Sequence, residues 1–361
     1  MGLDALPDDA WLRWAVLIAI GLAAVSALLM LQVLLLSELA ARRRHRRAAF
    51  EQRWLPRLAG ASLDDAVDSA DAQAWTAPAR ADHAWFLMAW CQMQYRLRGA
   101  AHERLNRLLR RFGLQHAAVG LLDHRNGSMQ LLGLACLRHL ADPAHWDAVA
   151  TLLQDPRPIQ SLAAAEVLVA VDPARAMALV APLAAKRRDW APARVAMLCR
   201  QAGPGSLTGP LLDLLSEPLR PGARERLLGM LAFGNPLAMA GWARDTLGDG
   251  APRADTIAAL GVLADLCDPR DRDRLLPWLA DDDPGVRLAA LGALHAQATL
   301  ADLDRLSTLL SDGDWSVRQA AADAIATLPG LRPEMLADVR GKTADRYGRD
   351  ALDRAIAELA P

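Results

Sequence analysis

The chain has 361 residues, 53% of them hydrophobic and only 5% aromatic, so it can bury a large core and lies outside the disordered range. Its 41 basic and 42 acidic residues nearly cancel, and the aromatic residues are mostly Trp in an alanine-rich background, which favours close-packed helices over a β-sandwich. The first 47 residues hold six arginines against four acids, leaving 35 basic and 38 acidic residues in the remainder, a balance that speaks against a nucleic-acid partner.

From Leu12 to Leu36 the chain reads LRWAVLIAIGLAAVSALLMLQVLLL, apolar except for Arg13 and Gln32. About twenty such residues span the hydrocarbon core of a bilayer. The run predicts one transmembrane helix over 12–36, after a tail over 1–11 that carries Asp4, Asp8 and Asp9. A basic segment over 37–49 follows, with Arg42, Arg43, Arg44, Arg46 and Arg47. Arginines collect on the cytoplasmic side, so these five set the topology: a single-pass protein of a bacterial inner membrane, its tail periplasmic and its C-terminal domain cytoplasmic. A signal peptide is the competing reading, but its charge precedes a shorter apolar run, whereas here the charge follows a long one. Ala19, Ala23 and Ala27 form a small-residue stripe that supports weak homo-oligomerisation through the membrane helix. The same helix makes the lipid bilayer itself a partner.

Residues 50–123 are less regular and predict a helical, membrane-proximal cap. One stripe is Phe86, Trp90, Met93 and Leu97, and another is Leu105, Leu108, Leu109 and Phe112. Such a cap covers the first open face of a repeat array.

From residue 124 to 361 a phrase recurs. Helices anchored at Leu131, Leu162, Val195, Arg226, Ile257, Leu288, Gln319 and Asp350 are spaced by 31 residues, once by 33. LLGLACL, LAAAEVL, IAALGVL, LAALGAL and QAAADAI align, with small residues where helices must approach closely. Between them lie amphipathic partner helices such as ARAMALVAPLAA and LDRLSTLLSDGD. No such helix pair can bury its apolar face alone, so the pattern predicts an all-α solenoid of helix pairs with a period of about 31 residues.

The phrase DPGVRLAALGAL, Asp283 to Leu294, and its partner DWSVRQAAADAI resemble HEAT repeats in their short bacterial, phycobilin-lyase-like form. The units at Val195 and Arg226 depart from the pattern, and the period is shorter than the usual length of about 40 residues. The resemblance implies a ladder of paired charges, Asp283 with Arg287, Asp314 with Arg318 and Asp345 with Arg349, in which each arginine fork ties neighbouring units together. A row of anion-binding arginines is the alternative role.

The resemblance further implies a membrane-anchored scaffold or adaptor, not an enzyme, whose surface takes another protein. Candidate contact residues are Arg194, Arg224, Arg253 and Asp265, which vary between units and are expected on the second-helix side. The phrases RRDWAPARVAML and HERLNRLLRRFGL, with the anchor, resemble a bacterial subset of HEAT proteins associated with envelope glycosyltransferases that make exopolysaccharide. The implied partner is therefore a membrane protein of that kind. HEAT-like enzymes, of the chromophore lyase or the DNA glycosylase type, are the alternative; the charge balance opposes the second and no motif supports the first.

Residues for catalysis, cofactors or metals are not indicated. His139 and His145 lack zinc-ligand spacing, and the HEAT-like iron hydroxylase pattern of repeated His-Glu pairs is met once, at His102 and Glu103. Cys91, Cys136, Cys199 and Cys267 are widely separated and read as buried reduced thiols.

Overall fold

A computed structural model describes residues 10–63, 75–248 and 250–359. The acidic residues Asp4, Asp8 and Asp9 of the N-terminal tail lie outside these. Among the described residues the regular structure is α-helix and short 3-10 turns, with no strand. The chain divides after Leu140 into two compact units.

The first unit is organised by α1, Ala10–Leu63, one helix of 54 residues and about 80 Å. It is long and apolar enough to cross a membrane by length and composition, and its most apolar part packs against nothing in the chain. The helix does not stop at the basic segment, so the stretch expected to fall into three pieces is continuous. Leucine, alanine and arginine are all good helix formers, and the first interior proline is Pro56. Beyond the arginines, Phe50, Trp54, Leu58 and Ala61 recur at helical spacing and are buried.

They meet α2, His83–Gln94, and α3, Ala100–Arg111. Trp54 packs edge-on against Phe86 at 5.1 Å and Phe112 at 5.8 Å, the arrangement favoured by ring quadrupoles. Phe86, Trp90, Leu105, Leu108 and Leu109 are fully buried, and the Trp90 indole N–H donates to the Leu105 carbonyl at 2.9 Å. The expected first stripe ends early: α2 stops at Gln94, which is buried, and Leu97 falls in the following turn. Gly113, at φ 66°, supplies the left-handed residue that separates α3 from α4, Leu114–Gly120. α5, Gly127–Leu140, completes the unit.

The second unit is a row of helix pairs. The first helices are α7 (Pro158–Val171), α9 (Pro192–Ala202), α11 (Pro221–Leu228), α13 (Arg253–Leu266), α15 (Pro284–His295), α17 (Trp315–Ala326) and α19 (Arg346–Leu359). The second helices are α6 (Trp146–Ala150), α8 (Pro173–Lys186), α10 (Pro204–Leu215), α12 (Pro236–Thr246), α14 (Arg272–Leu275), α16 (Leu303–Leu309) and α18 (Pro333–Lys342). The eight anchor positions read from the sequence fall on α5 and these seven first helices.

The starts of these helices follow from local chemistry. Proline occupies the first turn of α7, α8, α9, α10, α11, α12, α15 and α18, where its missing N–H would lack a partner anyway. Asp172, Asn235, Asp283 and Asp314 cap α8, α12, α15 and α17 by accepting backbone N–H groups. Stacking follows from the alanines. α13 packs on α15, α15 on α17 and α17 on α19, with Ala259, Ala290, Ala293, Ala321 and Ala322 wholly buried between them. Gly348 sits against the Leu310 carbonyl, a contact with no room for a Cβ.

Candidate functional site

The charged residues that recur with the repeat build rungs from one first helix to the next. Asp283 accepts the N–H groups of Gly285 and Val286 at 2.8 and 3.2 Å and meets the Arg253 guanidinium at 2.7 Å. Arg287 donates Nε and Nη2 to the two oxygens of Asp312, both at 2.7 Å, and Nη1 to the carbonyls of Asp281 and Asp282. One fork thus holds its own turn and the start of the next repeat. Burial raises the affinity of the Asp312 carboxyl for a proton, but the Arg287 hydrogen bonds, the Asp314 N–H and the nearby positive charges outweigh it and leave its pKa below the ordinary value.

Asp314 repeats the cap of Asp283, and Arg318 donates to the carbonyls of Asp312 and Gly313 and approaches Asp345 at 3.8 Å. Asp345 accepts from the N–H groups of Tyr347 and Gly348, and Arg349 is exposed. The expected pairs four residues apart are therefore not the ion pairs. The aspartates cap their own helices, and Arg287 and Arg318 reach an aspartate of the following repeat.

Arg194, Arg224, Arg253 and Asp265 lie on α9, α11 and α13, which carry anchor positions of the repeat. Arg224 pairs with Asp255 of α13, whose side chain is 3% exposed, and also donates to the Leu215 carbonyl. Arg194 pairs with Glu166 of α7, and Arg253 with Asp283. These three arginines are rungs, varied in sequence because each repeat offers its acid at a different position. Asp265 is exposed.

A second row of rungs joins the second helices. Arg244 of α12 donates to both oxygens of Asp271 at 2.7 and 2.8 Å and to Asp268 at 3.0 Å, and Arg272 of α14 pairs with Asp302. Asp271 and Asp302 are almost wholly buried. Hydrogen bonds from the Arg270 side chain and then its backbone N–H pull the Asp268 carboxyl down to about 2. Sequence reading missed this row, although Asp271 and Asp302 stand one repeat apart in the related phrases DRDRLL and DLDRLS.

In the two irregular units further arginines bond carbonyls as well as carboxylates. Arg187 donates to the Asp155 carbonyl at 2.6 Å, and Arg226 to those of Ala184 and Arg187 at 2.8 and 2.7 Å.

The first helices also carry exposed apolar residues. Ile159, Met197, Leu288, Trp315 and Tyr347 are exposed on α7, α9, α15, α17 and α19. Trp315 and Tyr347, 66% and 64% exposed, wall a shallow groove between α17 and α19 of about 590 Å³, where Arg354 meets Asp323 at 2.8 Å.

In the first unit, Arg42, Arg43, Arg44, Arg46 and Arg47 are exposed on α1, with Arg42 bonded to Glu38 at 2.9 Å and Arg47 to Glu51 at 2.7 Å. The fold brings Cys91 and Cys136 together, sulfurs 3.3 Å apart and both buried, and burial pushes the Cys136 thiol well up. Cys199 is buried as expected, whereas Cys267 is exposed at the end of α13. Burial, followed by the charges of His102 and Arg138, lowers His139 to about 4, so it is neutral at pH 7. Among the described residues no group of three or more His, Cys, Asp or Glu is placed to hold a metal ion.

No curated protein matches the chain. A crystal structure titled only as that of an engineered protein is 14% identical, covering 83% of this chain and 88% of that one, with a TM-score of 0.36. The family model for HEAT repeats matches residues 244–326, which run from the end of α12 to the end of α17 and contain the Arg253, Arg272 and Arg287 rungs, so the most regular helix pairs of the solenoid are HEAT-like.

Proposed function

We propose that the protein is a membrane-held scaffold, without catalysis of its own, whose first-helix surface binds another protein. The observation that carries this reading is the pair of exposed aromatics, Trp315 and Tyr347, flanking a groove on an otherwise rung-stabilised face. Tryptophan and tyrosine dominate binding energy at protein interfaces because they bury large area at small entropic cost. The anchor reading is supported by the continuity of α1: the helix that carries the apolar span also carries Phe50, Trp54 and Leu58 into a core, so cleavage within it would cut a structural element. By the positive-inside rule, the arginines after the span favour a cytoplasmic side for the repeats. A surface held at the inner membrane meets other membrane proteins at raised effective concentration. Its partner is therefore an integral membrane protein, and the phrase-level resemblance makes this an exopolysaccharide glycosyltransferase.

The test is crosslinking and co-purification from native membranes with full-length protein and with Trp315→Ala/Tyr347→Ala. An integral partner recovered with the wild type and at least tenfold depleted with the double variant supports the reading. Equal recovery with both moves the interface elsewhere, and recovery of no membrane protein sinks the scaffold role.

A further inference from the structure

The stripe of α1 that buries Trp54 and Phe50 continues toward the apolar span as Arg46, Arg43 and Leu39, each three or four residues from the last. One helix face therefore passes from packed to open without turning away. Where it opens, it looks across to the start of α2, with Arg46 4.0 Å from Asp82, and the space between is a groove of about 940 Å³. Its wall on α1 is cationic, formed by Arg43, Arg46 and Arg47 among others. Its opposite wall is apolar, formed by Ala84, Trp85 and Met88. Asp82, Glu38 and Glu51 are the acids at its edge, fewer than the five arginines.

Position adds a second argument. At 1.5 Å per residue, Leu39 and Arg43 stand about 5 Å and about 10 Å beyond Leu36, where the apolar run ends. The headgroup layer of a bilayer is on the order of 5 to 8 Å deep on each side, and an arginine side chain bridges the difference. A groove with phosphate-binding forks on one side and an aromatic and thioether surface on the other matches a ligand that is anionic at one end and hydrocarbon at the other.

We propose that this groove binds one anionic glycerophospholipid, its phosphate held by Arg43, Arg46 and Arg47 and its proximal acyl chain lying on Trp85 and Met88. The site rests on the membrane-anchor reading above. It turns the basic segment from a topological stop into a specific lipid contact, which orders the junction between the membrane helix and the folded part of its unit.

The test titrates delipidated full-length protein in neutral detergent with phosphatidylglycerol or phosphatidylcholine and counts bound lipids by native mass spectrometry. Wild type is expected to retain phosphatidylglycerol with about tenfold preference, on the scale of one to two arginine contacts. Arg43→Gln/Arg46→Gln/Arg47→Gln should abolish the preference. Ala84→Leu and Met88→Gln, with helix content checked by circular dichroism, should lower retention several-fold although every arginine remains. Arg270→Gln/Arg346→Gln, which removes two exposed charges from the other unit, should leave it unchanged. Equal retention of both lipids by wild type, equal loss in the distant pair, or no effect of either apolar-wall variant would each overturn the site. Carbonate extraction of the same proteins reads anchoring separately: resistance without lipid preference defeats the site alone, while release from membranes defeats the anchor reading.

Discussion

Arg287 does two jobs through one planar group. Its Nη1 ties down the carbonyls of Asp281 and Asp282, and its Nε and Nη2 clamp Asp312, whose side chain is 6% exposed. Replacing Arg287 by Ala leaves that carboxylate buried and short of donors, and is expected to cost about 1 to 3 kcal/mol in urea unfolding. Asp312→Asn should cost a similar amount, and the double variant less than the sum, because the two changes break one interaction. The pH dependence has a definite sign. A carboxyl whose folded pKa lies below its unfolded value stabilises the fold above the unfolded pKa of about 3.9 and loses that contribution as pH falls through the folded value. The stability gap between wild type and Asp312→Asn should therefore be constant above about pH 5 and close as pH falls below about 4. A gap that widened in acid would contradict the assigned direction. The recurrence of Arg287 and Arg318 was legible in the sequence, but their acceptors were not. The family resemblance suggested Asp283, whereas that short side chain is committed to the N–H groups of its own helix start, and the partner lies 25 residues on.

At the level of elements, the period of about 31 residues foretold all eight anchor helices because close stacking restricts several positions per repeat to alanine or glycine. It foretold less where a single helix changes environment. Residues 12–36, 37–49 and the start of 50–123 differ sharply in composition, and composition reads as boundary. The backbone has no reason to break there: no glycine or proline falls between Ser26 and Leu55, and the leucines, alanines and arginines of this stretch are all good helix formers. Two truncations test the consequence. Removing residues 1–40 should leave the first unit folded, since Phe50, Trp54, Leu58 and Ala61 remain. Removing residues 1–63 should strip one side of the core from Phe86 and Phe112 and leave α2 and α3 open to limited proteolysis. Equal protease resistance of the two truncated proteins would show that the C-terminal part of α1 is not a core element.

Across the second unit, stability is a sum of helix-pair and neighbour terms, so it need not be even. α13, α15, α17 and α19 stack closely through buried alanines and successive rungs. α11 differs: it has eight residues, the shortest of the first helices, with only Leu227 and Leu228 buried. Beside it a cleft of about 290 Å³ opens, lined by Pro192, Val195, Phe233 and neighbours, and Arg226 bonds carbonyls where other rungs have carboxylates. This is where the sequence pattern also decays, since a position that packs against a gap is not held to small apolar residues. The middle of the row should thus open before its C-terminal half. In hydrogen exchange measured by mass spectrometry, amides of α11 should exchange at least tenfold faster than those of α13, α15 and α17, a ratio that corresponds to about 1.4 kcal/mol in opening free energy. Gly229, at helical φ −63° with only ordinary contacts for an added Cβ, offers a direct handle. Gly229→Ala should stabilise the second unit by about 0.5 to 1 kcal/mol through the unfolded chain and slow exchange in α11 selectively. Uniform slowing across α11 to α17 would mean that the row opens as one cooperative block, with no weak joint at its centre.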